Sequence, residues 1–161
     1  TLNPRLPGPN PRLAMNLFLS KPADKSRDAL IGRTIAMWSL IRTPDPDDDH
    51  SELKTKIANG FDRSYYPSGV RRQLAAIIAT GDLRPHIKKI TSPTLIIHGS
   101  KDPLASIEGG KDSARNIKGA RLEIIEGMAH DLPKKFLPRI TALIIDHAKA
   151  AMGKASKPLA A

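Results

Sequence analysis

The run Pro93-Thr-Leu-Ile-Ile-His98 constrains the fold more than any other part of this chain. It is short, β-branched and apolar without alternation. A strand with one face in water alternates apolar and polar residues, whereas a strand apolar on both faces belongs in a parallel sheet covered on both sides. A second short strand follows at Leu122-Glu-Ile-Ile125, and the stretch from Gly109 to Ile117 between them reads as a helix stopped by Lys118-Gly119. Strand, helix, strand is a crossover, which makes the two strands parallel. Parallel strands send their following loops out at one edge of the sheet, where ligand and catalytic groups of open α/β sheets gather.

Upstream the pattern is helical. Pro4, Pro7, Pro9, Pro11 and Pro22 rule out a continuous helix or central strand at the start, leaving an irregular lead-in with a short helix near Leu13 to Leu19. Ser26 is placed to cap a helix reaching Arg42, with Leu30, Thr34, Met37, Trp38 and Ile41 on one face. Pro44 and Pro46 break it. The next helix spans about Ser51 to Tyr66, with a stripe of Leu53, Ile57, Phe61 and Tyr65. Ser68 is expected to cap a third from Gly69 to Thr80, with Val70, Leu74, Ile77 and Ile78 inward and Gly81 as its stop. A last helix from Phe136 to Met152 places Ile140, Leu143, Ile144 and Ala148 on its apolar side. The organisation expected is a helical region over residues 1–85, an α/β unit over 86–152, and a fraying tail over 153–161.

The 161 residues are the length of one domain, and 40% hydrophobic content is ordinary for a globular chain. No cysteine is present, which removes disulfides, thiolate metal sites and a cysteine nucleophile. No apolar run approaches a membrane span, and the first residues lack the apolar core of a signal peptide, so the expected location is cytoplasmic. Thr1 stands where a Met would begin a chain, through removal of that Met or because the sequence is part of something longer. A net charge of +10 raises nucleic acid as a partner. Its distribution argues against that: residues 1–92 carry 15 Lys+Arg against 9 Asp+Glu, residues 93–161 carry 11 against 7, and no aromatic platform is interleaved.

Two residues fall in the two loops that share the sheet edge. Asp102 follows the first strand and His130 follows the second. An aspartate accepting the Nδ1 hydrogen of a histidine fixes its tautomer and stabilises the imidazolium, leaving the other nitrogen to act as a general base. The plainer alternatives are a turn aspartate and a surface histidine. Asp131 reads as a loop cap, and His98 as a group packed beneath the loop. His50, His86 and His147 form no metal-ligand spacing. The acidic Asp47-Asp48-Asp49 lacks the pattern of a calcium loop and suits a helix start. Met37, Trp38, Phe61, Tyr65 and Tyr66 line either a substrate pocket or simply the packing between helices. No cofactor and no metal are expected.

Pro93-Thr-Leu-Ile-Ile-His-Gly-Ser-Lys-Asp-Pro-Leu104 resembles the acid-bearing strand and turn of the α/β-hydrolases, and Gly127-Met-Ala-His-Asp-Leu-Pro133 resembles their histidine loop. Phe61-Asp-Arg-Ser64, Arg72-Gln-Leu-Ala-Ala-Ile77 and Thr80-Gly-Asp82 are similar to the cap helices of an esterase branch, the aclacinomycin methylesterase group. The resemblance implies the carboxyl-terminal portion of an α/β-hydrolase: a helical lid over residues 1–85, then a β-α-β-α unit carrying Asp102 as triad acid and Asp102's partner His130 as base. It implies hydrolysis of a small-molecule carboxylic ester. The nucleophile of that family stands in G-x-S-x-G, and no serine here has that setting. The chain alone is therefore expected to be inactive, with a complementing amino-terminal half or self-association as its partner. The open alternatives are a non-catalytic binding or assembly module, and a dehalogenase or epoxide-hydrolase type of enzyme with an aspartate nucleophile.

Overall fold

A computed structural model describes residues 3–8, 10, 11, 13, 15, 24–47 and 49–155. Most of the expected short helix near Leu13 to Leu19 and most of the expected tail lie outside these residues. Three helices lead. Helix α1, Arg27–Ser39, starts at Ser26, whose hydroxyl accepts the Ala29 N–H at 3.4 Å. Helix α2, Ser51–Arg63, opens where the Asp49 carboxylate accepts the Ser51 N–H at 2.9 Å, the use of an acid at a helix start that the sequence suggested. Arg27 grips Asp62 with two charge-assisted bonds of 2.7 and 2.6 Å, which joins α1 to α2. Helix α3, Pro67–Thr80, follows, then the single turn α4, Arg84–Ile87.

Strand β1, Leu95–Gly99, and strand β2, Arg121–Ile125, pair in parallel, in register from Leu95 opposite Arg121 to Gly99 opposite Ile125. The crossover is α5, Ile107–Asn116, capped by Ser106. It lies close on β1 at Gly110, where a Cβ would come within 3.0 Å of the His98 ring. A 3-10 turn, Lys134–Phe136, leads into α6, Leu137–Ala155. The core joins the sheet to α6: Ile125, Met128, Ile140 and Leu143 are buried, with Leu95, Ile97 and Phe136 packed against them.

Several expectations need correction. The buried residue of α1 is Ile31, and Trp38 is 40% exposed. Pro67 occupies the first turn of α3 and Tyr66 precedes it, so Ser68 is inside the helix and not its cap. The stripe of α3 exists, but Val70, Ile77 and Ile78 are exposed, because no described element covers it. On α6 the buried residues are Ile140 and Leu143, whereas Ile144 and Ala148 of the same stripe are exposed. The helix continues past Met152 through Gly153 to Ala155. Leu95, Ile96 and Ile97 are half-buried and not sealed on both faces, because β1 and β2 form a sheet of two strands among the described residues.

Candidate active site

The edge where β1 and β2 end is drawn together by backbone bonds. Ser100 N–H donates to Ile125 C=O at 3.0 Å, and Lys101 N–H donates to Met128 C=O at 2.9 Å. Gly127, with a φ of 79°, turns the second loop, and its N–H donates to Ser100 Oγ at 2.9 Å. Ser100 is thus used in holding the loops. At Gly99 there is no room for a side chain: a Cβ would lie 2.3 Å from Met128 O and 2.5 Å from Ala129 O.

These loops bring together the two residues singled out in the sequence. His130 Nδ1 stands 2.8 Å from Asp102 Oδ2, across 28 positions of chain. The other carboxylate oxygen, Oδ1, accepts the N–H groups of Leu104 and Ala105, each at 2.9 Å. The acid is thereby fixed from both sides and its side chain is 7% exposed, whereas that of His130 is 37% exposed. With Nδ1 donating to the carboxylate, Nε2 carries the lone pair. His98 plays another part: its Nε2 pairs with Ala105 C=O at 3.0 Å, bracing the loop that carries Asp102.

A second set of contacts had no signal in the sequence. The Ile41–Thr43 segment after α1 reaches the histidine loop. His130 N–H donates to Ile41 C=O at 3.0 Å, and Ala129 N–H donates to Thr43 Oγ1 at 2.9 Å. Asp131 caps this segment: its Oδ1 accepts the Thr43 N–H at 2.7 Å and the Thr43 hydroxyl at 2.6 Å. That is a capping role, as the sequence suggested, but toward a partner 88 positions away.

Beside the histidine loop lies a cavity of about 880 Å³. Trp38, Phe61, Tyr65 and Tyr66 line it, with Arg42 and Asp131 at the end nearest the loop. Phe61 and Tyr65 stack at 4.4 Å between ring centroids. Met37 is not among its lining residues. At its charged side Glu52 pairs with Lys134 at 2.6 Å and with Lys56 at 2.8 Å, and these partners hold its carboxyl down at about 2. Among the described residues no group of three or more His, Asp or Glu converges on a metal position, and no helix is long and apolar enough to cross a membrane.

Comparison with known proteins supports the fold. Solved α/β-hydrolases superpose on nearly the whole chain: a meta-cleavage product hydrolase from Pseudomonas fluorescens covers 91% of this chain and 52% of its own, with a TM-score of 0.61 at 19% identity. The chain has an α/β-hydrolase fold. An esterase from Exiguobacterium antarcticum aligns with this chain at 28% identity and a TM-score of 0.54, over 76% of this chain and 47% of its own. Residues 69–134 match the family described as serine aminopeptidase, S33. Rhodomycin D methylesterase DnrP of Streptomyces peucetius is 28% identical over 149 residues, which is 91% of this chain and 49% of that protein. A pimeloyl-(acyl-carrier protein) methyl ester esterase of Neisseria meningitidis is 32% identical over 91 residues, 56% of this chain and 34% of that protein. The chain therefore spans half or less of the length of the curated relatives it matches.

Proposed function

We propose that this chain supplies the acid and base of a serine-type carboxylic ester hydrolase, with Asp102 orienting His130 and a serine contributed by a segment beyond these 161 residues. The observation that carries the reading is the 2.8 Å contact of His130 Nδ1 with a carboxylate that is itself anchored by two N–H groups. It is supported by relatives named as methylesterases. In this reading the serine oxygen attacks the ester carbonyl while its proton passes to His130 Nε2. The tetrahedral intermediate collapses, and His130 returns the proton to the departing alcohol. Water then attacks the acyl-serine by the same route and releases the acid. Asp102 keeps the imidazole in one tautomer and balances its charge when it is protonated. Residues 1–85 form a lid whose aromatic cavity receives part of the substrate, and the enzyme works in the cytoplasm.

The test is hydrolysis of short p-nitrophenyl esters by the chain alone, by its His130→Ala variant, and by each mixed with the nucleophile-bearing half of the Streptomyces relative. The expected result is background for both chains alone and activity on mixing, lowered by about three orders of magnitude in His130→Ala. Activity of the chain alone that depends on His130 would place the nucleophile inside it and overturn the division of labour. No activity on mixing would favour a non-catalytic module.

A further inference from the structure

We propose that Thr43 and Asp131 are positioning residues for His130, a role that rests on His130 being the base. Three consecutive residues of the histidine loop bond to the segment leaving α1. Ala129 N–H donates to Thr43 Oγ1 at 2.9 Å, and His130 N–H to Ile41 C=O at 3.0 Å. Asp131 Oδ1 accepts both the N–H and the hydroxyl of Thr43, at 2.7 and 2.6 Å. The Thr43 hydroxyl thus accepts from one side of His130 and donates to the other. Thr43 and Ala129 are each only 4% exposed, so water does not readily replace a partner lost there. The Arg42 guanidinium, 3.8 Å from Asp131 Oδ2, balances the charge of this tie.

Geometry makes the tie specific to His130. The loop is held from one flank by the Lys101 N–H to Met128 C=O bond, on the sheet side. The Thr43 bonds hold Ala129 and Asp131, the residues on either side of His130 in the chain. Nδ1 reaches Asp102 at 2.8 Å only if the backbone at 129–131 keeps its course, since side-chain rotation alone offers a few discrete positions. Thr43 acts through that backbone, and Asp131 through Thr43. The tie also joins the cavity to the base, because Arg42 and Asp131 line one end of the cavity.

The readout is the tautomer of His130, from its ring nitrogen shifts in the ¹⁵N-histidine-labelled full chain at a pH where the ring is neutral. In the wild type the proton sits on Nδ1, facing Asp102, and Asp102→Asn abolishes that preference. Thr43→Val keeps the shape of the side chain and loses both of its hydroxyl bonds. It is expected to abolish the Nδ1–H preference while the amide signals of β1 and β2 stay in place. Thr43→Ser is expected to keep the preference, and Asp131→Ala to weaken it. A Thr43→Val chain that keeps the wild-type tautomer overturns the proposal. So does one that loses the β1 and β2 amides as well, since Thr43 would then be a general structural residue. A wild type with no Nδ1–H preference, unaffected by Asp102→Asn, would instead show that the pairing of acid and base had failed, and the positioning role would fall with it.

Discussion

Gly99 is where one residue decides whether the loops carrying Asp102 and His130 can meet. The second loop passes so near that a methyl group there would sit 2.3 Å from one carbonyl oxygen and 2.5 Å from the next. Both obstacles are backbone, and neither can swing aside as a flexible side chain would. Gly99→Ala is therefore expected to destabilise the chain by about 1–3 kcal/mol and to loosen the His130 loop. Gly109→Ala, where a Cβ would meet nothing within 4 Å, is the matched control in a helix and should be neutral or mildly stabilising. Urea midpoints of the two variants at constant m-value check the difference. At this scale Asp102 and His130 were legible in the sequence, because each stands in the loop after a strand. Thr43 was not. Nothing near Thr43 in the chain distinguishes it from any threonine before a proline, and its partners lie 86 and 88 positions away.

At the scale of elements, α2 is tied to the exit of the histidine loop by Glu52, which pairs with Lys134 and with Lys56 one helical turn on. The Lys134 bond, then the Lys56 bond, lower the Glu52 carboxyl from its ordinary value of 4.5 to about 2. A carboxyl depressed in the folded chain stabilises it at pH above the unfolded value of 4.5, and that contribution is lost as the pH falls through about 2. Because the group is exposed, salt screens the effect. The expected outcome is a Glu52 carboxyl titration, followed by ¹³C shifts, with its midpoint near 2. Lys134→Ala or molar salt should move it back toward 4.5. A midpoint already near 4.5 in the wild type at low salt would mean the Lys134 contact is not kept in solution. Helix positions were legible from apolar spacing and caps, but which stripe is covered was not. The α3 stripe of Val70 and Ile78 has the spacing of a buried face and is about 70% exposed.

For the whole molecule the decisive fact is that an α/β-hydrolase fold is present over half or less of the length of its curated relatives. Among the described residues, β1 pairs with β2 on one edge and with no strand on the other. Leu95, Ile96 and Ile97 remain half-buried there, while Val70, Ile78 and Ile144 stand exposed on α3 and α6. An open apolar strand edge beside exposed apolar helix faces favours association. The purified chain is expected to sediment as concentration-dependent oligomers and to unfold over a broad range of denaturant. A dilute monomer with one sharp transition would count against this.

The β-α-β unit and the edge at which Asp102 and His130 emerge were determined by sequence alone. Runs of four to eight residues set strand or helix through local sterics and apolar spacing, and parallel pairing then dictates where the loops go. Only the tertiary structure decided which stripes are covered, how the aromatic residues of α1 and α2 open a cavity, and that Thr43 and Asp131 bracket His130. Those outcomes depend on surfaces meeting across long stretches of chain, more than eighty positions for Thr43, and no local pattern of residues encodes where such surfaces meet.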